Sequence, residues 1–443
     1  MTEWHAVVLA AGQGTRMKSA LPKVLHPVAG LPMLSHVLRA AHAGGATAAS
    51  VVLPPDAAPF QPLIASAPLP VSGFVQTERL GTAHAVLAAA DGWKDDAAAV
   101  AILYGDTPLV QQDTLRALVQ SLQSDADLTV LAFEAANPTG YGRLITGPDQ
   151  TLTRIVEEKD ASPEEKRVTL CNSGILACRA PVLLSLLRRI GNRNAAGEYY
   201  LTDAIGLAAA DGLRVRYRLA NESDMLGVNN RVQLAEAEAM MQARLRHRAM
   251  EGGATLIAPA TVTFSHDTVL GRDVTVEPNV IFGPGVTIGD NVTVKGFSHI
   301  EGATIASGAI IGPFARIRPT TVIGHGARIG NFVEVKETTI ADEAKISHLS
   351  YIGDAAVGVD ANIGAGTITC NYDGVVKHRT EIGAGAFVGS NSALVAPVVI
   401  GDGAYVGSGS VITRDVPKDA LAVARGEQIV KEGWALRRRN GPK

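Results

Sequence analysis

The chain has 443 residues, more than one ordinary hydrophobic core accommodates, so two or three domains are expected. Hydrophobic residues make up 47% and the formal net charge is −3, which excludes the basic excess of a nucleic-acid or membrane-surface protein. Three cysteines (Cys171, Cys178, Cys370) without C-x-x-C spacing exclude a disulfide framework or zinc knuckle and point to a reducing cytoplasm.

The N-terminal segment has no basic leader before a long apolar core, so no signal peptide is read there. No apolar stretch is long enough to span a bilayer, so membrane insertion is not expected. Residues 5–10 form a short apolar run that ends in Gly-rich sequence. Residues 34–42 have helical spacing, and 98–104 form a second buried-strand candidate ending at Gly105 and Asp106. Residues 128–133 form a third. This alternation over 1–226 predicts a mainly parallel, Rossmann-like α/β sheet. Ligands of such sheets sit at the carboxyl ends of strands, where the Gly12 loop and the Asp106 turn both fall.

Residues 229–250 lack Gly and Pro and are rich in Ala, Glu, Arg, Met and Leu, which predicts one long helix stopped by Gly252 and Gly253. The segment 227–250 is expected to link two halves, with the second covering 251–443. In that half aliphatic residues recur every six positions. One run is Leu270, Val276, Phe282, Ile288, Val294 and Ile300. A second is Ile311, Ile317, Ile323, Ile329 and Val335, and a third is Ile382, Val388, Leu394, Ile400, Val406 and Ile412. Neither a helix nor a simple alternating strand has that period. A coil of three short strands does, with the aliphatic side chain inward and Gly, Asn or Asp at corners that need φ > 0. The spacing slips around 338–347, and residues 371–379 interrupt it with a polar insertion where function is expected. The closing run Arg437, Arg438 and Arg439 reads as a solvated tail.

Two segments carry chemistry. The first is Leu9-Ala10-Ala11-Gly12-Gln13-Gly14-Thr15-Arg16-Met17, followed by Pro22-Lys23. It lacks the third small residue of a dinucleotide fingerprint and the Gly-Lys-Ser/Thr of a P-loop. Its backbone N–H groups with two cations, Arg16 and Lys23, suit a triphosphate. Asp106 taken alone is as much a turn aspartate as a metal ligand. The second is Ser347-His348-Leu349-Ser350-Tyr351, just before the repeat resumes; histidine is the usual base near neutral pH.

The first motif resembles the nucleotidyltransferases that join a sugar 1-phosphate to a nucleoside triphosphate. Further matches follow in order: Gln76 with Gly81 and Thr82; Tyr104-Gly105-Asp106; Gly142, Glu157 and Asn172; the run Glu198 to Asp203; and Gly227 to Arg231. The second half is similar to the glucosamine-1-phosphate acetyltransferases through Arg318-Pro319, Gly330 to Lys336, His348 to Tyr351 and Asn362 to Gly374. Together they resemble the two-headed family that makes UDP-N-acetylglucosamine for peptidoglycan and lipopolysaccharide precursors, with a left-handed parallel β-helix as the second half.

The resemblance implies that Leu9, Ala10, Ala11, Gly12 and Lys23 bind UTP, that Arg16 and Lys23 are catalytic and stabilise charge on the transferred phosphate and the leaving pyrophosphate, and that Gln76, Gly81 and Thr82 read uracil. Tyr104, Gly105 and Asp106 form the metal-binding turn, with Asp106 and Asn229 holding Mg²⁺. Gly142, Glu157 and Asn172 contact the sugar. It makes His348 the general base, and Arg318, Lys336, Tyr351 and Asn362 the glucosamine-phosphate contacts. Ala365, Asn371, Tyr372, Ser390, Ser408 and Arg425 would meet acetyl-CoA, with Asn371 and Tyr372 also completing the sugar site; Arg425 by itself reads as a surface cation. A homotrimer is implied through the β-helix, with the tail near Arg425 reaching a neighbour. Gln13, where the family often has Lys, and Thr320, where it usually has Gly, depart from the pattern. A competing reading keeps the nucleotidyltransferase and makes the β-helix a non-catalytic oligomerising module; a third makes the whole chain a scaffold.

Overall fold

The computed structural model describes residues 3–93, 97–147 and 151–440. It divides into two compact units, Met1–Met241 and Gln242–Lys443.

The first unit is built on β1 (Trp4–Leu9), β2 (Ala46–Leu53), β3 (Val71–Val75), β4 (Ala99–Tyr104), β5 (Leu128–Glu134), β6 (Arg143–Thr146), β7 (Leu152–Val156), β8 (Leu170–Arg179) and β9 (Val215–Leu219). The main sheet runs β9-β5-β8-β4-β1-β2-β3. All its neighbours are parallel except β8, which is antiparallel to β4 and β5. Successive residues of β1 go to opposite faces: Ala6 and Val8 join one buried cluster and Val7 the other. Helices α1 (Met33–Ala43) and α3 (Gln112–Ser124) cover the first face through Leu34, Val37, Leu115 and Leu118. Helix α2 (Thr82–Ala88), with 180–187 and 203–210, covers the other through Val86, Leu183 and Ile205. The chain leaves β1 in opposite directions to reach β2 and β4, so their carboxyl ends flank a switch point.

The expected helix is present as α4 (Arg231–Glu251). The two units divide inside it. Ala237 of its first part packs with Val28, Met33 and Leu109, and Glu238 Oε2 accepts the Ala29 N–H at 2.6 Å. In the second unit the Gln242 side chain pairs with the Phe264 backbone in both directions, at 2.7 and 2.8 Å.

The second unit is a left-handed parallel β-helix with three faces of 10, 8 and 8 strands, every coil paired in parallel with the next. The six-residue positions are the inward ones: Val294, Ile311, Ile317, Ile329, Val335, Val388 and Val406 are fully buried. Identical residue types stack from coil to coil, as Ile311, Ile329, Ile346 and Ile363 do. Burial of such a continuous aliphatic column stabilises the coil by roughly 25 cal/mol per Å² of apolar surface removed from water.

Two sequence expectations are corrected. The slip at 338–347 does not interrupt the coil: strands Glu334–Lys336, Thr339–Ile340 and Lys345–His348 continue it. One face is simply a residue shorter, with Glu337 turning the corner at φ 47°. The corners are also not reserved for Gly, Asn and Asp. Phe297, Phe314, Phe332 and Leu349 occupy one corner at φ 52–60°. Phe297, Phe314 and Phe332 stack there with ring centroids 5.0 Å apart, so ring contact offsets the strain of the left-handed backbone. Thr320 takes a corner at φ 64°, the conformation for which glycine is favoured. Residues 371–379 leave the coil between strands Ile368–Cys370 and Thr380–Ile382.

Candidate active sites

In the first unit, Leu9 and Tyr104 are register partners at the ends of β1 and β4. The Gly105 N–H donates to the Leu9 carbonyl at 3.0 Å, so the Gly12 loop and the Asp106 turn are side by side. They open onto a cleft of about 310 Å³ lined by Leu9, Ala10, Ala11, Gly12, Lys23, Gln76, Gly81, Thr82, Tyr104 and Asp106, all of which the sequence singled out. The Val228 N–H donates to the Asp106 carbonyl at 2.9 Å and brings Asn229 alongside. Lys23 Nζ then bridges the two side chains, donating to Asp106 Oδ2 and, at 3.1 Å, to Asn229 Oδ1. Two convergent oxygens on one cation form a donor set that fits a hard divalent ion. Arg16 is exposed in its short helix and does not line the cleft.

The far wall is set by backbone constraints. Gly81 has φ 117°, and a Cβ there would stand 2.5 Å from the Tyr199 carbonyl oxygen. Thr82 Oγ1 accepts the Leu201 N–H at 2.9 Å, which pins the segment after Glu198 to this wall. Gln76 is buried and donates to the Gly81 carbonyl at 3.3 Å. Gly142, Glu157 and Asn172 also meet: a Cβ on Gly142 would lie 3.4 Å from Glu157 Oε2 and 3.6 Å from the Asn172 Cβ. Burial raises the Glu157 pKa, although Thr202 Oγ1 donates to its Oε1 at 3.1 Å. Asn172 Oδ1 accepts the Gly174 N–H at 2.9 Å, and Gly174 packs under the Tyr104 ring.

In the β-helix, one corner carries a vertical row. Asn331 and His348 are register partners, the Gly366 N–H donates to the His348 carbonyl, Asn391 to Ala365 and Gly409 to Ser390. His348, Ala365, Ser390 and Ser408 therefore occupy equivalent places in successive coils, spanning about 14 Å at ~4.8 Å per coil. Arg425 Nη1 closes the row on the Ser408 carbonyl at 2.7 Å. His348 is exposed, and its Nδ1 lies 2.6 Å from Asn331 Oδ1. An amide oxygen only accepts, so Nδ1 carries the hydrogen and Nε2 presents its lone pair.

The other residues lie on the adjoining face, where Tyr351 opens its strand three residues after His348 and Arg318 and Lys336 stand at the strands' far ends. Arg318 pairs with Glu334 at 2.9 Å and Lys336 with Glu337 at 2.9 Å. Asn371 Nδ2 donates to the Tyr351 hydroxyl at 3.4 Å and also to Asp354 Oδ2. A Cβ on Gly353 would stand 2.5 Å from the Tyr351 hydroxyl, so glycine leaves that phenol its place. Asn362 is not with this group: it is in register with Lys345, at the start of the strands that end near His348. Tyr372 is exposed on the insertion loop.

Three residues escaped the reading of the sequence as site residues. Arg79 and Glu198, the latter inside the quoted Glu198–Asp203 run, both line the first cleft. Asn331, inside the quoted Gly330–Lys336 motif, holds the His348 ring; its position 17 residues before His348 was the available signal.

Among family descriptions, a MobA-like NTP transferase domain matches residues 6–163, a bacterial transferase hexapeptide (six repeats) matches 267–302 and 379–414, and a GMPPB C-terminal domain matches 299–373. The chain is 59% identical to the bifunctional protein GlmU of Azorhizobium caulinodans over 97% of its length and 96% of the relative's. It is 59% identical to that of Xanthobacter autotrophicus over 97% and 96% of the two chains. The protein of the same name from Rhodospirillum rubrum is 55% identical over 99% and 97%. With near-complete coverage on both sides, the chain belongs to the GlmU family of bifunctional proteins.

Proposed function

We propose that this chain is a bifunctional enzyme that acetylates glucosamine 1-phosphate from acetyl-CoA and then joins the product to UTP, giving UDP-N-acetylglucosamine and pyrophosphate. Residues 1–226 carry uridylyl transfer, 251–443 carry acetyl transfer, and 227–250 connect them. The product serves peptidoglycan and lipopolysaccharide precursors.

In uridylyl transfer an oxygen of the sugar phosphate attacks the α-phosphorus of UTP, and the bond to pyrophosphate breaks. Positioning and charge neutralisation do most of such work. Leu9 to Gly12 cradle the phosphates, Gln76, Gly81 and Thr82 read the base, and Gly142, Glu157 and Asn172 orient the sugar. Asp106 and Asn229 are the residues that would hold Mg²⁺, which would supply neutralising charge at the phosphates. Lys23 and Arg16 add positive charge toward the leaving group, Lys23 by moving off the two oxygens it now bridges.

In acetyl transfer His348 Nε2 takes a proton from the substrate amine as nitrogen attacks the thioester carbon; the C–S bond breaks and the imidazolium returns a proton to the CoA sulfur. Arg318 and Lys336 bind the phosphate, with Tyr351 on the sugar. The row Ala365, Ser390, Ser408 and Arg425, with Asn371 and Tyr372, lines the coenzyme's path. The protein acts as a homotrimer in the cytoplasm. Two features support the assembly: the site residues are split between two edges of one prism face, and the tail exposes Ile429, Val430, Trp434 and Leu436. The free thiols of Cys171, Cys178 and Cys370 support the compartment.

The observation that carries the reading is the vertical row under His348, because a β-helix used only for assembly has no need of a base aligned with a coenzyme-length track. The test mixes the protein with glucosamine 1-phosphate and acetyl-CoA and follows free thiol, then adds UTP and follows pyrophosphate. Pyrophosphate release from N-acetylglucosamine 1-phosphate without any thiol release in the first step would leave only the nucleotidyltransferase with an oligomerising β-helix.

A further inference from the structure

The insertion loop 371–379 contains a side-chain pair that none of the roles above uses. Asp373 Oδ1 accepts two backbone N–H groups of the loop tip, Val375 at 2.8 Å and Val376 at 2.7 Å. Its other oxygen, Oδ2, lies 2.7 Å from His378 Nε2 on the returning arm. The His378 N–H donates to the Asn371 carbonyl at 2.8 Å, and Tyr372 and Lys377 form an antiparallel bridge. The two N–H groups and the imidazole together hold the Asp373 carboxyl well below its ordinary range, so it stays ionised. Gly374, at φ 99°, allows the tight tip, and the Tyr372 hydroxyl donates to its carbonyl at 2.7 Å.

Beyond these contacts the loop meets the coil through Lys377 Nζ, 3.8 Å from a Glu337 carboxylate oxygen. Val375 is 87% exposed and Val376 55%, so the tip itself is largely in solvent. Asn371 is buried at the base, Tyr372 projects from it, and both stand between the coil and the Asp373–His378 contact.

We propose that Asp373 and His378 are positioning residues for acetyl transfer: their contact clamps the two arms of the loop and thereby fixes Asn371 and Tyr372 against the coil. The proposal rests on the acetyltransferase reading of this half. Asp373 holds the tip with one oxygen and the returning arm with the other. A carboxylate or an isosteric amide at this place keeps the hydrogen-bond geometry, because an amide still accepts the two N–H groups and the imidazole accepts from its NH₂ in the other tautomer. A methyl group keeps none of it. The clamp acts on Asn371 and Tyr372, assigned above to the coenzyme's path, whereas Arg318 and Lys336 are carried by the coil itself. Losing it therefore affects acetyl-CoA more than the sugar phosphate.

The test compares the full-length wild type with Asp373→Ala, Asp373→Asn, His378→Ala and the double alanine variant. The expected result for Asp373→Ala is about a tenfold to hundredfold loss of kcat/KM for acetyl-CoA, the scale of a misplaced site group. KM for glucosamine 1-phosphate should change less than that for acetyl-CoA, the rate of uridylyl transfer should be unchanged, Asp373→Asn should recover most of the loss, and the double variant should be no worse than either single one. Hydrogen exchange at the Val375, Val376 and His378 amides should quicken in Asp373→Ala. Unchanged acetyl-CoA kinetics, an equal loss of uridylyl transfer, or no recovery in Asp373→Asn would each overturn the clamp. If the wild type releases no thiol at all, the acetyltransferase reading fails by itself; the exchange rates then still decide the clamp, which unchanged rates would overturn.

Discussion

Asn331 Oδ1 lies 2.6 Å from Nδ1 of His348, one coil away at the same corner of the β-helix. The contact selects the tautomer with a free lone pair on Nε2 and fixes the plane of an exposed ring. An exposed histidine without it would divide its time among rotamers and tautomers. His348→Ala should lower acetyl-transfer kcat about 100- to 10,000-fold, the range of a lost general base. Asn331→Ala should lower it by roughly a tenth of that effect on the logarithmic scale or more, with KM for both substrates nearly unchanged. Steady-state thiol release measures both, and an Asn331→Ala enzyme with wild-type kcat would remove the tautomer argument.

The Lys23 bridge between Asp106 and Asn229 places two oxygens of the nucleotide cleft on one cation. Asp106→Ala should abolish uridylyl transfer and leave acetyl transfer intact in the same preparation. Retained pyrophosphate release would refute the role of Asp106, and thermal melting of the variant separates a lost site from a lost fold in the first unit.

Gly81 adopts φ 117°, with the Tyr199 backbone 2.5 Å from where a Cβ would be. Gly81→Ala should raise KM for UTP severalfold by pushing back the Tyr199 segment. Destabilisation of about 1–3 kcal/mol should accompany it, since strained backbone adds to the steric clash. Thermal melting together with UTP kinetics checks this, and a variant with unchanged Tm and KM would show that the wall yields freely.

Glu157 has its pKa raised above the ordinary 4.5, first by burial. The folded state therefore holds this proton more tightly than the unfolded chain. The stabilising contribution is fully present below pH 4.5 and is lost as pH rises through the raised folded value. Glu157→Gln should erase that loss: the variant should gain stability relative to wild type as pH rises from 4.5 toward neutrality, while its KM for the sugar phosphate worsens. Parallel stability curves for the two proteins over this window would contradict the burial argument.

The proposed homotrimer has two measurable consequences. Light scattering should give three copies per particle. On dilution, acetyl transfer should fall before uridylyl transfer does. A monomer that retains full acetyl transfer would reject the trimer.

Much of this protein was legible along the chain. The strand-ending Gly12 loop and Asp106 turn predicted where the first cleft lies, and ten of the singled-out residues line it. The six-residue spacing of Ile311, Ile317, Ile323 and Ile329 predicted the coil, because an inward aliphatic position repeated once per face is a local pattern. The phenylalanine corner at 297, 314 and 332 was not legible: isolated aromatics at φ > 0 are unfavourable, and only stacking between coils makes them tolerable.

By itself, then, the sequence determined the two folds and the strand-end position of the nucleotide loop, since each follows from periodicity or from residue types within a short window. Tertiary structure alone decided which distant groups meet: Asn229 with Asp106 through the Val228 hydrogen bond, Asn331 with His348 across a coil, Asn371 with Tyr351, and Asn362 apart from them. Those pairings depend on the register in which strands and coils stack. Register is fixed by the packing of the whole core, and no single stretch of residues contains it.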